Sequence, residues 1–115
     1  MNANNLHSDN AQQPCIVLCT TNSQENAIKI SQHLLDNRLA ACVSLLPEIM
    51  SLYLWQGNIT KDKEILLLIK TTQSNQLSIF EAIKKIHPYE TPELIRLDPN
   101  HVEDNYLQWL INSVK

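Results

Sequence analysis

A chain of 115 residues, 43% hydrophobic and with a formal net charge of −3, has the material for one domain with its own core. Its nine Lys and Arg residues are scattered, which excludes the basic footprint of a nucleic-acid-binding surface. A single glycine, Gly57, excludes the glycine-rich phosphate loops of the Rossmann and Walker types.

Residues 1–13 are polar and rich in Asn and Gln, without a basic start or an apolar stretch, and are expected to form a disordered tail rather than a secretory signal. No apolar run approaches the ~20 residues of a membrane span, so no membrane partner is expected. The three cysteines, Cys15, Cys19 and Cys42, form neither an even set nor a C-x-x-C motif. Reduced thiols and a cytoplasmic location follow as the expectation.

Ile16–Thr20 is short, apolar and rich in β-branched residues, the pattern of a buried strand. Asn22 followed by Glu25 resembles a capping box. Ala27, Ile28, Ser31, Leu34 and Leu35 then predict a helix to about Asn37. A second strand is expected over Ala40–Leu46, bent at Pro47 and resuming from Ile49 to Trp55. Gly57-Asn58 marks a turn, Lys61-Asp62-Lys63-Glu64 resembles solvated turn residues, and Ile65–Lys70 predicts a third strand.

Ser74 is placed to cap a second helix with Leu77, Phe80 and Ile83 on one face, ending near Ile86. Leu94–Leu97 reads as a fourth strand. Asn100 with Glu103 repeats the capping pattern before Val102, Tyr106, Trp109 and Leu110 at helical spacing. The order predicts an α+β fold, a ferredoxin-like β-α-β-β-α-β sandwich with a long β-hairpin and a C-terminal helix, over residues 14–115 as one domain. The hairpin offers apolar residues on both faces, which points to a homo-oligomer.

His87-Pro88-Tyr89-Glu90-Thr91-Pro92-Glu93 is a stiff connection, since proline ends a helix and extends the residue before it. In a split β-α-β arrangement the first and fourth strands are neighbours, which brings Cys19 and His87 to one sheet end. Thiolate and imidazole suit copper or zinc, with Glu90, Glu93 or a neighbouring subunit completing the set. The same pair also reads as a catalytic dyad using Cys19. His87 reads equally as a plain helix-terminal residue. Cys15 and Cys19 lie roughly 13 Å apart at ~3.3 Å per strand residue, too far to share an ion. His7, His33 and His101 have polar surroundings and read as solvated. Tyr53, Trp55, Tyr106 and Trp109 read as core or interface; the alternative is a small-ligand cleft formed with Lys70, Tyr89 and Glu93.

Five blocks together resemble the CutA family, the divalent-cation tolerance proteins: Arg38-Leu39-Ala40-Ala41-Cys42-Val43, Ser51-Leu52-Tyr53-Leu54-Trp55-Gln56-Gly57, Lys70-Thr71-Thr72, the His87–Glu93 segment, and Tyr106-Leu107-Gln108-Trp109-Leu110. The resemblance implies a cytoplasmic homotrimer, not an enzyme, with a role in copper tolerance and the response to divalent cations; the alternative is a small-ligand-sensing signalling trimer with inter-subunit clefts lined by the His87–Glu93 segment. It implies copper ligands at Cys19 and His87, with zinc and other divalent cations also admitted. Ile86 stands where the family has a first histidine, so one ligand is missing from that pattern.

Overall fold

The computed structural model describes residues 12–115. The polar segment expected over 1–13 lies, but for its last two residues, outside that range. Strand β1 spans Pro14–Thr21, helix α1 Gln24–Asp36, β2 Cys42–Trp55, β3 Asn58–Thr72, α2 Gln76–Ile86, β4 Ile95–Leu97 and α3 Asp104–Ser113. The sheet is ordered β2-β3-β1-β4 with every neighbouring pair antiparallel, the expected split arrangement.

Alternation decides what faces the helices. Val17 and Cys19 on β1 and Leu67 and Ile69 on β3 pack beneath Ile30 and Leu34 of α1 and Ile79 and Ile83 of α2. All are at most 1% exposed, and complete burial of each large aliphatic side chain is worth about 1.5–3 kcal/mol. On the opposite face Ile16, Leu18, Leu66 and Leu68 remain partly exposed.

Several local expectations are corrected. Ser23, not Asn22, caps α1: its backbone is extended and its Oγ accepts from the Asn26 amide at 3.1 Å. Asn22 instead accepts from the Asn26 side chain at 2.9 Å. Ser74 does not cap α2; it lies in a 3₁₀ turn over Gln73–Asn75, so the helix begins later. The buried stripe is thereby Ile79 and Ile83, and Leu77 is left 66% exposed. Glu103 itself caps α3, its carboxylate accepting from the Asn105 and Tyr106 amides, which hold its carboxyl below the usual range.

β3 extends well beyond the expected Ile65–Lys70. Its first half, Asn58–Glu64, pairs with Ile49–Trp55 of β2, so Lys61-Asp62-Lys63-Glu64 is strand and not turn. Cross-strand pairing overrides the weak strand propensity of those charged residues. The connection is Gln56-Gly57, both with positive φ (51° and 82°), the signature of a two-residue type I′ hairpin turn. At Pro47-Glu48 the register shifts between Leu46 and Ile49, and Glu48 takes φ 59°. That bulge supplies the bend expected at Pro47. The hairpin beyond it exposes Leu52 (60%), Leu54 (73%), Trp55 (61%) and Ile59 (72%).

Candidate functional site

The α2 helix ends where proline requires it to. His87 leaves the helix with extended backbone (ψ 139°) because Pro88 follows, and its amide still bonds to the Ile83 carbonyl at 2.8 Å. The turn back over the ring lets the Tyr89 amide donate to His87 Nδ1 at 3.0 Å. With Nδ1 accepting, Nε2 carries the proton and donates to the Thr20 carbonyl of β1 at 2.7 Å. The imidazole is 8% exposed, and the Tyr89 ring lies 4.7 Å from it.

Cys19 reaches the same carbonyl from the other side. Its Sγ lies 3.7 Å from Thr20 O, inside the helix-facing core and fully buried. Burial, and then the nearby carboxyl groups of Glu93 and Glu64, push the thiol up to about 12. The topology thus brings Cys19 and His87 to one sheet end, as expected. They meet as two donors to one backbone oxygen. Both ring nitrogens of His87 are engaged, the Cys19 sulfur is a buried, protonated thiol and not a thiolate, and among the described residues no three His, Cys, Asp or Glu side chains are placed to hold one ion. Within one chain, as arranged here, the pair does not fit a copper or zinc ion. A nucleophilic thiol needs access and a lowered pKa, and Cys19 has the reverse of both. Cys15 is also buried, with its thiol raised to about 11 by burial. Cys42 is half-buried beside Lys70, whose Nζ donates to Ser44 Oγ at 2.6 Å and lies 3.7 Å from the sulfur.

The other face of the same strands carries a cleft of about 680 Å³. β3 contributes Thr60, Asp62 and Glu64, alternate residues on one face, and β2 adds Tyr53, opposite Thr60, and Trp55, opposite Asn58. The proline-braced segment after His87 forms the facing wall with Tyr89, Glu90, Thr91 and Glu93, and Thr20 lies at the base. Tyr89 donates its hydroxyl to Glu64 Oε2 at 2.8 Å across this space, and Tyr53 donates to Asp62. Burial and the bond to Glu64 raise the Tyr89 phenol, which keeps it a donor. The cleft joins Tyr53, Trp55, Tyr89 and Glu93, as the ligand-cleft alternative expects; Lys70, Tyr106 and Trp109 lie outside it. Asp62 and Glu64 escape sequence reasoning because their stretch resembles a turn. The usable signal is their alternation with Thr60 on an extended hairpin.

A family profile described as CutA1 divalent ion tolerance protein matches residues 15–113. A divalent-cation tolerance protein CutA of Citrobacter koseri is 38% identical over 112 residues, covering 93% of this chain and 97% of that protein. Among solved structures, a divalent cation tolerance protein from Thermus thermophilus superposes with a TM-score of 0.86 at 39% identity, covering 90% of this chain and all of that one. CutA1 from Oryza sativa gives 0.87 at 35% identity, covering 89% and 94%. A protein from Archaeoglobus fulgidus, described as a periplasmic divalent cation tolerance protein CutA, gives 0.86 at 28% identity, covering 90% and 100%. The match of nearly the whole described chain, in sequence and in fold, places this protein in the CutA1 divalent ion tolerance family.

Proposed function

We propose that this protein serves divalent-cation tolerance as a cytoplasmic homotrimer without catalytic activity, and that it meets cations at the acid-walled cleft. The observation that carries this reading is the cleft's charge: Asp62, Glu64, Glu90 and Glu93 line it, and among the described residues no Lys, Arg or His does. Such a concave, single-sign wall concentrates cations. A hydrated divalent ion needs only one or two carboxylates because it retains its water, so convergence of three donors is not required. The hairpin face that carries Leu52, Leu54 and Ile59, exposed on one copy and turned away from the cleft, supports the trimer, since another copy would cover it. The free cysteines support a reducing compartment.

Calorimetric titration of the full-length protein with Mg, Zn and Cu, beside light scattering for mass, tests this reading. Millimolar-range, salt-sensitive binding weakened by Glu90→Gln and Glu93→Gln, on a species of three chains, is the expected result; no binding of any of these ions would overturn it. A second reading, copper at Cys19 and His87, rests on their shared place at one sheet end and requires both to give up the Thr20 carbonyl. It predicts copper affinity that falls in Cys19→Ser and His87→Ala while magnesium binding is unchanged.

A further inference from the structure

Three aromatic rings in the cleft are left without a role by a hydrated metal ion. Tyr53, Trp55 and Tyr89 line the same space as the carboxylates. Trp55 is 61% exposed and Tyr53 40%, although each has apolar area that water disfavours. The cleft, about 680 Å³, is also far larger than one ion with its first water shell.

Glu64 adds a second, independent demand. It is 8% exposed, and among the described residues its only hydrogen-bond partner is the Tyr89 hydroxyl, on Oε2. Among the described residues no Lys, Arg or His pairs with it, the ion pairs there being Lys63 with Glu48 and Arg96 with Asp98. One hydroxyl donor leaves acceptor capacity on this carboxylate, and a carboxylate so largely withdrawn from water gains from a positive partner. Glu64 lines the cleft together with Tyr53, Trp55 and Tyr89, so a cation paired with it there would lie beside the aromatic walls.

We infer that the cleft's ligand is a small organic cation, an amine whose ammonium meets Glu64 and whose hydrocarbon stem lies against Trp55 and Tyr53. This inference rests on the cleft being a cation site and names the cation's class. An ammonium gains from the faces of Trp and Tyr rings, and its methylenes gain from leaving water, whereas a hydrated metal ion gains from neither. The further carboxylates Asp62 and Glu90 give a diamine a place for its second charge.

The test is calorimetric titration of the full-length protein with 1,4-diaminobutane, 1,4-butanediol and magnesium chloride, with oligomeric mass checked by light scattering on each sample. The diamine is expected to bind and the diol not to bind. Trp55→Ala is expected to weaken the diamine roughly two- to fivefold and Trp55→Phe to recover part of that loss, with magnesium binding unaltered by either. Glu64→Gln is expected to abolish diamine binding. Binding of magnesium without the diamine would overturn this inference and leave the cation cleft standing. Diamine binding indifferent to Trp55→Ala at unchanged mass would overturn it as well, by reducing the contact to bulk charge. Failure of both cations to bind would overturn the cleft reading itself.

Discussion

The His87 imidazole joins the end of α2 to the main chain of β1, with Nε2 donating to the Thr20 carbonyl at 2.7 Å across 67 residues of sequence. Its Nδ1 simultaneously takes the Tyr89 amide at 3.0 Å, so one buried ring holds the strand end and sets the direction in which the cleft-lining segment leaves the helix. His87→Ala leaves a carbonyl and an amide without their partner. It is expected to cost about 1–3 kcal/mol, read as a lower urea midpoint. A midpoint equal to wild type would show the ring to be dispensable.

Ser23 is the helix-capping residue of α1, and two neighbouring substitutions separate it from Asn22. Ser23→Ala removes the Oγ that accepts from the Asn26 amide and is expected to cost about 1 kcal/mol. Asn22→Ala removes an exposed side-chain bond and should change stability by no more than about 0.5 kcal/mol. Thermal unfolding of the two variants distinguishes them; a larger loss in Asn22→Ala would return the cap to that residue.

The buried thiols give stability a dependence on alkaline pH. A thiol whose folded pKa is raised from 9.0 to about 12, as for Cys19, binds more protons folded than unfolded above pH 9. Its contribution is complete below that value and is lost as pH rises toward the folded pKa. Cys15, raised to about 11, acts in the same direction. Urea midpoints between pH 8 and pH 10.5 should therefore decline, and Cys19→Ala should reduce the steepness; an identical slope in the variant would remove Cys19 from the account.

Iodoacetamide should modify the native protein at Cys42 first. That sulfur is half-buried and has the Lys70 ammonium nearby, whereas Cys15 and Cys19 are closed off in the core. Peptide mapping after brief labelling at pH 8 reads the order. Early modification of Cys19 would instead revive its use as a nucleophile.

The hairpin turn is open to improvement. Gln56 holds φ 51° in a two-residue loop, a left-handed conformation that Asn adopts with less strain. Gln56→Asn is expected to add about 0.5 kcal/mol, measured as a raised Tm. A lowered Tm would mean that the glutamine side chain makes a contribution of its own.

Element order and strand adjacency were legible in the chain because buried periodicities are long-lived signals: Val17, Leu67 and Ile69 alternate, and Ile79 and Ile83 recur at four. Ends were harder to place. Ser23 and Asn22 are both good caps, and only the path of the backbone decides which oxygen reaches the Asn26 amide. The site was half legible. Proline spacing marked the His87–Glu93 wall, and strand adjacency placed Cys19 beside it. The opposite wall was hidden, since Asp62 and Glu64 acquire their position from pairing with Ser51 and Ile49 across the hairpin. The state of the expected ligand pair was hidden for a similar reason: which atoms of His87 are free depends on the Tyr89 amide and the Thr20 carbonyl, and backbone partners leave no trace in residue type.

The bulge at Pro47-Glu48 divides the hairpin into two ladders with separate lifetimes. Inside it, Cys42–Leu46 pairs with Leu66–Lys70, and β3 is held on its other side by β1. Beyond it, among the described residues, Ile49–Trp55 and Asn58–Glu64 have only one another as strand partners, because β1 pairing begins at Ile65. Pro47 has no amide to carry the ladder across the junction. Amide protons of the inner ladder therefore exchange with solvent only when the whole core opens, while those of the outer ladder exchange through fraying from the Gln56-Gly57 tip. One wall of the cleft stands on the faster-opening ladder, so an occupant that bridges Glu64 and Trp55 would register as slowed exchange in the outer strands before it altered anything in the core.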